Sequence, residues 1–426
     1  MLEQRFTISI VEPFHHGHHL TYVRHIIDSA CLAIEPSRLK IKLHLTPEGL
    51  QSPDYQAFIA PVKENTDTTL TIAPLPKGRL KIFKGICRRV DQVIEAAKPE
   101  MLIYPSADFA TPALGLSRLL RLRSYSQVPN RECMMTQIGL GYPASQRFAL
   151  DFLDRIGLKC APWTSIGLVD VVAYEFLRNH HPKLSKRLRL IPDPVQTYNS
   201  EQSKKEARRA LELEENRFWF VCPGIIRVGK GIDRLLSAFA LLQERVGSSD
   251  LGLALIGPVR QNVKDLFSTD QRFARGLEQG QIVMIDRMLS GPKFGEAIRA
   301  GDVTCCTYPA QNHPSSVAVT SLAYQRPVLC SDRYWMGEMG EKFKMGWVSS
   351  VDNIDELADT MQRCIDEAAH WQPTSAAERL VRYQSAENFR ATWQDRFNKI
   401  LHQNRAPVAM TWDQVNSDST QSLESC

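Results

Sequence analysis

The segment Gly224–Gly231 contains the residue types that a phosphate-binding loop requires. It reads G-I-I-R-V-G-K-G. Glycines let backbone amides approach a bound anion closely, and Lys230 supplies a compact positive charge for phosphate oxygens. The pattern is compatible with a phosphate-binding loop in which Lys230 is the cation and Gly224 and Gly229 allow close backbone approach. A tight turn that carries a solvated lysine is the alternative.

The same segment differs by one residue from the P-loop pattern G-x-x-x-x-G-K-[ST]. A P-loop lies between a strand and a helix, and this segment is predicted to lie in the same position. Gly231 stands where that pattern has the hydroxyl that holds Mg²⁺. The next predicted strand, Leu251–Ile256, is followed by Gly257 rather than an aspartate. A P-loop-like nucleotidase therefore stays open as an alternative function.

A second anion site is predicted at the start of a helix that follows Asn312-His313-Pro314-Ser315-Ser316. Ser315 or Ser316 can cap this helix, and the amides of its first turn attract negative charge. Plain capping without a ligand is the alternative.

Histidines are concentrated between Val11 and His25, a pattern that first suggests a metal site. Glu12 is the only acid within reach, and no recognised ligand spacing is present. A loop without function is therefore preferred to metal binding, and the resemblance described below adds a second interpretation, a loop that lines a binding cleft. We predict no metal.

Asp108 follows the predicted strand Met101–Tyr104 by a short loop. The carboxyl ends of parallel strands are where open α/β sheets bind ligands, so Asp108 is a candidate for orienting an acceptor hydroxyl. Capping of the predicted helix Ala110–Leu120 is an equally good explanation.

A basic run without acids suits an amphipathic helix on anionic lipid; a solvated helix face is the preferred interpretation. The run contains Lys77, Arg79, Lys81, Lys84, Arg88 and Arg89.

The bulk properties are those of a globular protein with more than one domain. The chain has 426 residues, 43% hydrophobic and 23% charged, and a net charge of +5. No basic module with interleaved aromatic residues suggests nucleic-acid binding. The ten cysteines include no C-x-x-C pair, which indicates a reducing compartment. With no signal peptide and no apolar run of about 18 residues, we expect a cytoplasmic protein, with contact at the inner membrane face left open.

Alternating elements must position these residues. Short apolar runs alternate with amphipathic stretches, an order that predicts α/β domains with parallel sheets. Predicted strands are Phe6–Val11, Leu39–Leu45, Thr69–Ile72, Met101–Tyr104, Met134–Ile138, Arg217–Cys222, Leu251–Ile256, Ile282–Ile285, Val303–Thr307 and Val328–Cys330. Predicted helices include Leu20–Ala33, Lys84–Ala97, Asp233–Arg245, Ile354–Ala368 and Ala386–Leu401. The two prolines in Leu188–Val195 mark a domain boundary.

Five segments in this order resemble motifs of the group 1 glycosyltransferases. Pro13-Phe14-His15-His16-Gly17-His18-His19 resembles the glycine loop after the first strand of that family. Ile191-Pro192-Asp193-Pro194-Val195 is similar to its I-P-N-G-V hinge, and Gly224 through Leu236 to its G-R-x-x-x-x-K-G-x-x-x-L-L loop and helix. Leu255-Ile256-Gly257 resembles the L-x-I-x-G strand end. Ser315 through Leu329 resembles the G-x-x-x-x-E-A-x-A-x-G-x-P-V-I unit.

Three positions depart from the family pattern. Ile225 stands where the family has the loop arginine, and Arg227 lies two positions further on. Asn312 and Thr320 replace two glutamates, the second of which binds the donor ribose in the family. The chain resembles a divergent branch that has a Ser-Ser segment before the helix.

The resemblance implies a GT-B fold, an α/β architecture with two Rossmann-like domains facing across a cleft. We predict an acceptor-side domain at 1–195, a nucleotide-sugar domain at 196–385, a helix at 386–403 that returns to the first domain, and a disordered tail at 404–426. The expected site has His16, Asp108 and Lys230 in catalysis. Donor contacts are expected from Gly17, Gly224, Arg227, Gly229, Lys230, Asn312, Ser315, Ser316 and Thr320.

The implied reaction transfers a sugar from a nucleoside-diphosphate sugar to a hydroxyl of a glycan, lipid or small molecule, without a cofactor. The lost glutamates keep a second possibility open, in which a weak or inactive relative acts as a binding or assembly subunit.

Overall fold

The computed structural model describes residues 5–15, 19–65, 68–71, 85–86, 90, 98–108, 110–119, 128–138, 140, 155–198, 201–247, 249–289, 291–311 and 313–417. The chain forms two compact units. The first comprises Met1–Pro194 and Ala386–Trp412, and the second comprises Val195–Ser385 and Asp413–Cys426.

The first unit contains a seven-stranded sheet in which every neighbouring pair is parallel. Its order, β3-β2-β1-β4-β5-β6-β7, reverses direction between β1 and β4. The strands are β1 Phe6–Glu12, β2 Leu39–Leu45, β3 Thr68–Thr71, β4 Met101–Tyr104, β5 Asn130–Met135, β6 Ser165–Leu168 and β7 Leu188–Leu190. The helices are α1 His19–Ala33, α2 Pro47–Gln51, α3 Ala110–Leu119, α4 Val171–His180, α5 Pro182–Ser185 and the C-terminal helix Ala386–Ile400. A π-helix at Tyr55–Ile59 leads into a 3-10 helix at Ala60–Asn65.

Apolar side chains cover both faces of this sheet, because successive strand residues point to opposite sides. In β1, Ile8 and Ile10 belong to one core cluster and Val11 to the other. Phe389, Trp393 and Phe397 of the C-terminal helix complete the first of these clusters. The C-terminal helix is therefore part of the core of the first unit.

The second unit has a six-stranded sheet of the order β10-β9-β8-β11-β12-β13, again parallel throughout. Its strands are β8 Phe218–Pro223, β9 Leu251–Ile256, β10 Ile282–Ile285, β11 Val303–Cys306, β12 Val328–Ser331 and β13 Gly346–Ser349. Its helices are α6 Lys204–Ala210, α7 Ile232–Val246, α8 Gln261–Thr269, α9 Gln271–Glu278, α10 Pro292–Ala300, α11 Ser316–Ala323, α12 Tyr334–Phe343, α13 Ile354–Glu367 and α14 Ser375–Tyr383. Short 3-10 turns occupy Pro36–Arg38, Val228–Lys230 and Ala368–His370.

The helix α7 shows how local sequence determines an element. Its buried face carries Leu235, Leu236, Phe239 and Leu242 at the spacing of a helical stripe. Gly247 then adopts a left-handed conformation with φ of +63° and ends the helix.

The α/β architecture predicted from the sequence is confirmed. The predicted strand Met134–Ile138 is found earlier, at Asn130–Met135, and β6 and β13 were not predicted. The short β6 and β13 contain serine and glycine, so their sequences lack the apolar run by which the other strands were recognised.

Residues 404–417, predicted to be disordered, are structured. The Asp395 carboxylate accepts hydrogen bonds from the backbone N–H groups of Val408 and Ala409, and the helix Trp412–Asn416 follows. Trp412 is buried and its indole N–H donates to Glu175. These long-range partners explain why local polarity gave the wrong prediction.

None of the helices described combines the length and the apolar character needed to cross a bilayer. The six cations of the basic run, Lys77, Arg79, Lys81, Lys84, Arg88 and Arg89, lie outside the described residues.

Candidate functional site

The order of each sheet reverses beside its first strand. Ligands of open α/β sheets bind at the carboxyl ends of the strands at such a reversal. In the second unit the reversal lies between β8 and β11, so the segments of interest are those that follow Pro223 and Cys306.

Lys230 occupies the 3-10 turn that follows β8. Its ammonium lies 5.2 Å from the centre of the buried Tyr308 ring. A cation over an aromatic face is attracted without being neutralised. No carboxylate of the described residues forms an ion pair with Lys230. Burial lowers the pKa of this lysine from its ordinary value, an effect that a bound anion would oppose.

Two buried thiols lie beside this ammonium. Burial raises the pKa of Cys222 to about 12 and that of Cys306 to about 11, although the charge of Lys230 opposes both shifts. Both thiols are therefore neutral at physiological pH and leave the lysine charge uncompensated. Cys306, at the end of β11, also interacts with the hydroxyls of Tyr308 and Ser315. Its interaction with Lys230 connects these residues to the turn after β8.

Two glycines shape this loop. Gly231 has φ of +74°, and a Cβ placed on it would lie 2.1 Å from the Thr307 carbonyl oxygen. Gly224 has φ of +97°, and its Cβ would lie 3.3 Å from Lys230 Nζ. Because Gly231 has no side chain, the loop after β8 can lie close to Thr307, which follows β11. The missing side chain of Gly224 leaves space beside the Lys230 ammonium.

The other predicted loop residues are more exposed. Arg227 is extended and exposed just before the 3-10 turn. A Cβ on Gly229 would meet no protein atom closer than Arg227 Nε at 4.0 Å, so this side of the turn is open.

The helix α11 begins with the predicted cap. Ser315 is buried, and its hydroxyl accepts a hydrogen bond of 3.3 Å from the Ala318 N–H. Ser316 is the first helical residue, and its carbonyl accepts a hydrogen bond of 2.6 Å from the Thr320 hydroxyl. Thr320 is only 5% exposed. Its single proton is therefore used inside the helix, and ribose binding by Thr320 stays a prediction.

The Asp108 carboxylate accepts three hydrogen bonds from the segment after β5. They come from Thr136 N at 2.8 Å, Thr136 Oγ1 at 3.0 Å and Gln137 N at 2.8 Å. Asp108 thus fastens the loop after β4 to the end of β5. This structural task accounts for its position, and its catalytic role stays a prediction.

Predicted site residues His16, Gly17 and Asn312 lie outside the described residues. Within the described part of the chain, no cluster of three or more histidine, cysteine, aspartate or glutamate residues could hold a metal ion.

Glu12 and Ser106 were not predicted. Glu12 ends β1 and Ser106 follows β4, so both lie at the reversal of the first sheet. Ser106 Oγ is 2.5 Å from Glu12 Oε2, and His19 Nδ1 is 2.6 Å from Ser106 Oγ. An acid at the end of a strand without other charged residues was the available signal for Glu12.

Comparisons with known proteins bear on the family of the second unit and on the fold. The family described as glycosyl transferases group 1 matches residues 203–383. No curated protein sequence matches the chain at a significant level.

Solved structures share the fold over nearly the whole chain. Sucrose-phosphate synthase from Thermosynechococcus elongatus is similar with a TM-score of 0.67 and 14% identity, covering 93% of this chain and 100% of that one. HepE of Anabaena, solved with UDP, has a TM-score of 0.58 and 14% identity, covering 94% and 97%. UDP-GlcNAc 2-epimerase of Neisseria meningitidis, solved with UDP-GlcNAc, has a TM-score of 0.59 and 11% identity, covering 94% and 100%.

The chain has the predicted α/β GT-B fold, and residues 203–383 within its second unit match the group 1 glycosyltransferase family.

Proposed function

We propose that the protein transfers a sugar from a nucleoside-diphosphate sugar to an acceptor hydroxyl. The observation that carries the proposal is the Lys230 ammonium, held over Tyr308 with no ion-pair partner among the described carboxylates. It lies at the sheet reversal of a unit that matches group 1 glycosyltransferases. A diphosphate would supply the missing negative charge.

In this arrangement the second unit stabilises the leaving diphosphate. Lys230 would contact its oxygens, and the amides at the start of α11, after Ser315, would face it. Arg227, on the open side of the turn, would add a second cation. Because these groups provide the positive charge, donor binding requires no divalent metal.

The remaining predicted contacts belong to the same proposal. Donor contacts of Gly17 and Asn312 and catalytic roles of His16 and Asp108 are proposed from the sequence alone. Asp108 would orient the acceptor hydroxyl. For the basic run a solvated helix face is the preferred interpretation, and contact with the inner membrane face is the alternative that the sequence keeps open.

The P-loop alternative is disfavoured by Gly231. A Mg²⁺-binding serine at this position would require a Cβ 2.1 Å from the Thr307 carbonyl oxygen and φ of +74°. The backbone here accommodates only glycine.

A ligand screen tests the proposal. Thermal shifts would be measured with UDP-, GDP- and ADP-sugars in the presence of EDTA, and UDP-sugars come first because HepE was solved with UDP. We expect one nucleotide class to raise Tm. Any sugar donor that binds is then incubated with candidate glycan, lipid and small-molecule acceptors.

The outcomes separate the candidate functions. Release of nucleoside diphosphate in step with a new glycoside supports transfer. Interconversion of the sugar without a glycoside product indicates an epimerase, the activity named for one structural neighbour. Binding without turnover favours a binding subunit, and no binding of any nucleotide sugar overturns the proposal.

A further inference from the structure

A chain of polar groups in the first unit plays no part in the donor site. It joins the carboxyl of Glu12, the hydroxyl of Ser106 and the imidazole of His19, with separations of 2.5 Å and 2.6 Å. Glu12 is 0% and Ser106 3% exposed, whereas the His19 side chain is 33% exposed. One hydroxyl therefore connects a buried acid to an imidazole that reaches solvent at the sheet reversal.

The direction of these hydrogen bonds depends on the charge of Glu12. An ionised carboxylate only accepts, so Ser106 donates to it and Ser106 Oγ accepts from His19 Nδ1–H. The lone pair of the ring is then on Nε2. A protonated Glu12 donates to Ser106 Oγ instead, and the serine proton turns to Nδ1. The ring proton must then be on Nε2, which can only donate.

The backbone fixes which carboxyl oxygen takes part. The Phe14 N–H donates to Glu12 Oε1 at 3.0 Å, whatever the charge of the carboxyl. The proton that comes and goes is therefore on Oε2, the oxygen that faces Ser106.

Both charge states of Glu12 are accessible near neutral pH. Burial raises its pKa to about 8, the hydrogen bonds from Ser106 and Phe14 oppose the rise, and Asp108 adds to it. Two other titratable groups among the described residues interact with Glu12. His19 Nδ1 lies 3.9 Å from Glu12 Oε1. Tyr22 interacts electrostatically with Glu12, and its hydroxyl donates a hydrogen bond to Asp193.

We infer that Glu12, acting through Ser106, sets the tautomer of His19 and so decides whether Nε2 can accept the proton of an acceptor hydroxyl. The inference rests on the proposed function. Glu12 and Ser106 are positioning residues, and His19 is the proton acceptor.

The transfer step balances with these groups. The acceptor oxygen bonds to the anomeric carbon while the bond from that carbon to the diphosphate breaks, and the diphosphate keeps the electron pair. The acceptor proton passes to His19 Nε2. The Nδ1 proton passes to Ser106 and the serine proton to Glu12, which ends the step protonated.

The tautomer of His19 can be observed without any substrate. Full-length protein with ¹⁵N-labelled histidine would be followed by NMR from pH 7 to pH 9.5, with His19→Gln used for assignment. We expect the Nε2–H tautomer at the lower end, the Nδ1–H tautomer at the upper end, and a midpoint near the Glu12 pKa of about 8.

Two variants provide the controls. In Glu12→Gln the amide oxygen must accept from Phe14 N–H, so the amide nitrogen donates to Ser106 and holds the Nε2–H tautomer at every pH. Ser106→Ala removes the connection, so the transition near pH 8 should disappear. One tautomer throughout in the wild type, or a transition that persists in Glu12→Gln, overturns the inference.

This test is independent of sugar transfer, so its failure is distinct from failure of the proposed function. Where transfer is measurable, the kcat of the wild type at pH 7 should be about a tenth of its plateau above pH 8, because one pH unit changes the ionised fraction about tenfold. Glu12→Gln should lose the activity and leave no rise at pH 8. A pH-independent rate in the wild type would contradict the inference.

Discussion

At the scale of single residues, Lys230 combines partial burial, an aromatic neighbour and neutral thiols. Tyr308 and the two cysteines hold the ammonium in place without adding negative charge. Lys264 of the same unit, by contrast, has a carboxylate partner, because its Nζ lies 2.6 Å from Asp286. This contrast is what we expect if Lys230 binds an anionic ligand and Lys264 has a structural role.

We predict that Lys230→Ala weakens nucleoside-diphosphate binding by about 1.5–3 kcal/mol, the scale of a hydrogen bond to a charged group. Isothermal titration calorimetry measures the change. Since burial lowers the lysine pKa below 10.5, wild-type affinity should also fall with rising pH earlier than for an exposed lysine. Lys264→Ala is the matched control and should bind normally. Equal affinity in the wild type and Lys230→Ala would remove Lys230 from the phosphate site.

Glu12 gives a prediction about stability. Its pKa is about 8 in the folded protein against an ordinary 4.5, so between these values the unfolded chain has lost a proton that the folded protein keeps. Wild-type stability attributable to Glu12 therefore falls as pH rises through this window. The glutamine of Glu12→Gln does not titrate. The free energy of unfolding of this variant, relative to the wild type, should therefore rise by on the order of 3–5 kcal/mol from pH 5 to pH 8 and stay constant above pH 8.

Calorimetry of the two proteins side by side checks this difference through Tm. Glu48→Gln changes an exposed glutamate of the same unit and should give a constant difference from the wild type. A Tm difference for Glu12→Gln that does not vary with pH would show that Glu12 is ionised in the folded protein throughout.

At the scale of elements, strands with long apolar runs were predictable and contacts between strands were not. Leu39–Leu45, Met101–Tyr104, Leu251–Ile256 and Ile282–Ile285 are found with the predicted bounds. Lys230 could be predicted as a phosphate-binding residue because Gly229 and Gly231 flank it in the sequence. The pairing of Glu12 with Ser106 spans a separation of 94 residues and depends on β1 lying next to β4. Sequence periodicity does not specify that neighbourhood.

The turn between β8 and α7 should tolerate no side chain at Gly231. We predict that Gly231→Ala destabilises the second unit by more than the cost of about 1–3 kcal/mol for a strained backbone, because its Cβ also meets the Thr307 carbonyl. Gly247→Ala is the matched control, since Gly247 has φ of +63° and nothing within 4 Å of its Cβ. Urea unfolding of both variants measures the difference. Equal losses would mean that the loops relax apart without cost.

At the scale of the whole molecule, two parallel sheets repeat one strand order, and the chain returns to the first unit after completing the second. The C-terminal helix contributes Phe389, Trp393 and Phe397, all fully buried, to the first unit. Its Arg396 also forms an ion pair with the buried Glu132, which Arg189 contacts from β7 at 2.9 Å. The first unit therefore depends on residues that follow most of the second unit in the chain.

We predict that a chain ending at Ser385 has an unfolded first unit and a folded second unit. Removing one large buried aromatic side chain costs about 3–5 kcal/mol, so losing three matches or exceeds the stability of about 5–15 kcal/mol of a typical protein. Glu132 would also lose one of its two arginines. Within the second unit, the described hydrogen bond from Arg379 to the Val415 carbonyl would be lost. Limited proteolysis with mass spectrometry should give a resistant fragment near residues 195–385 that still binds nucleotide.

A chain ending at Ser417 is the control, and both of its units should resist proteolysis. Resistance of residues 5–194 in the shorter chain would show that the core of the first unit closes without the C-terminal helix.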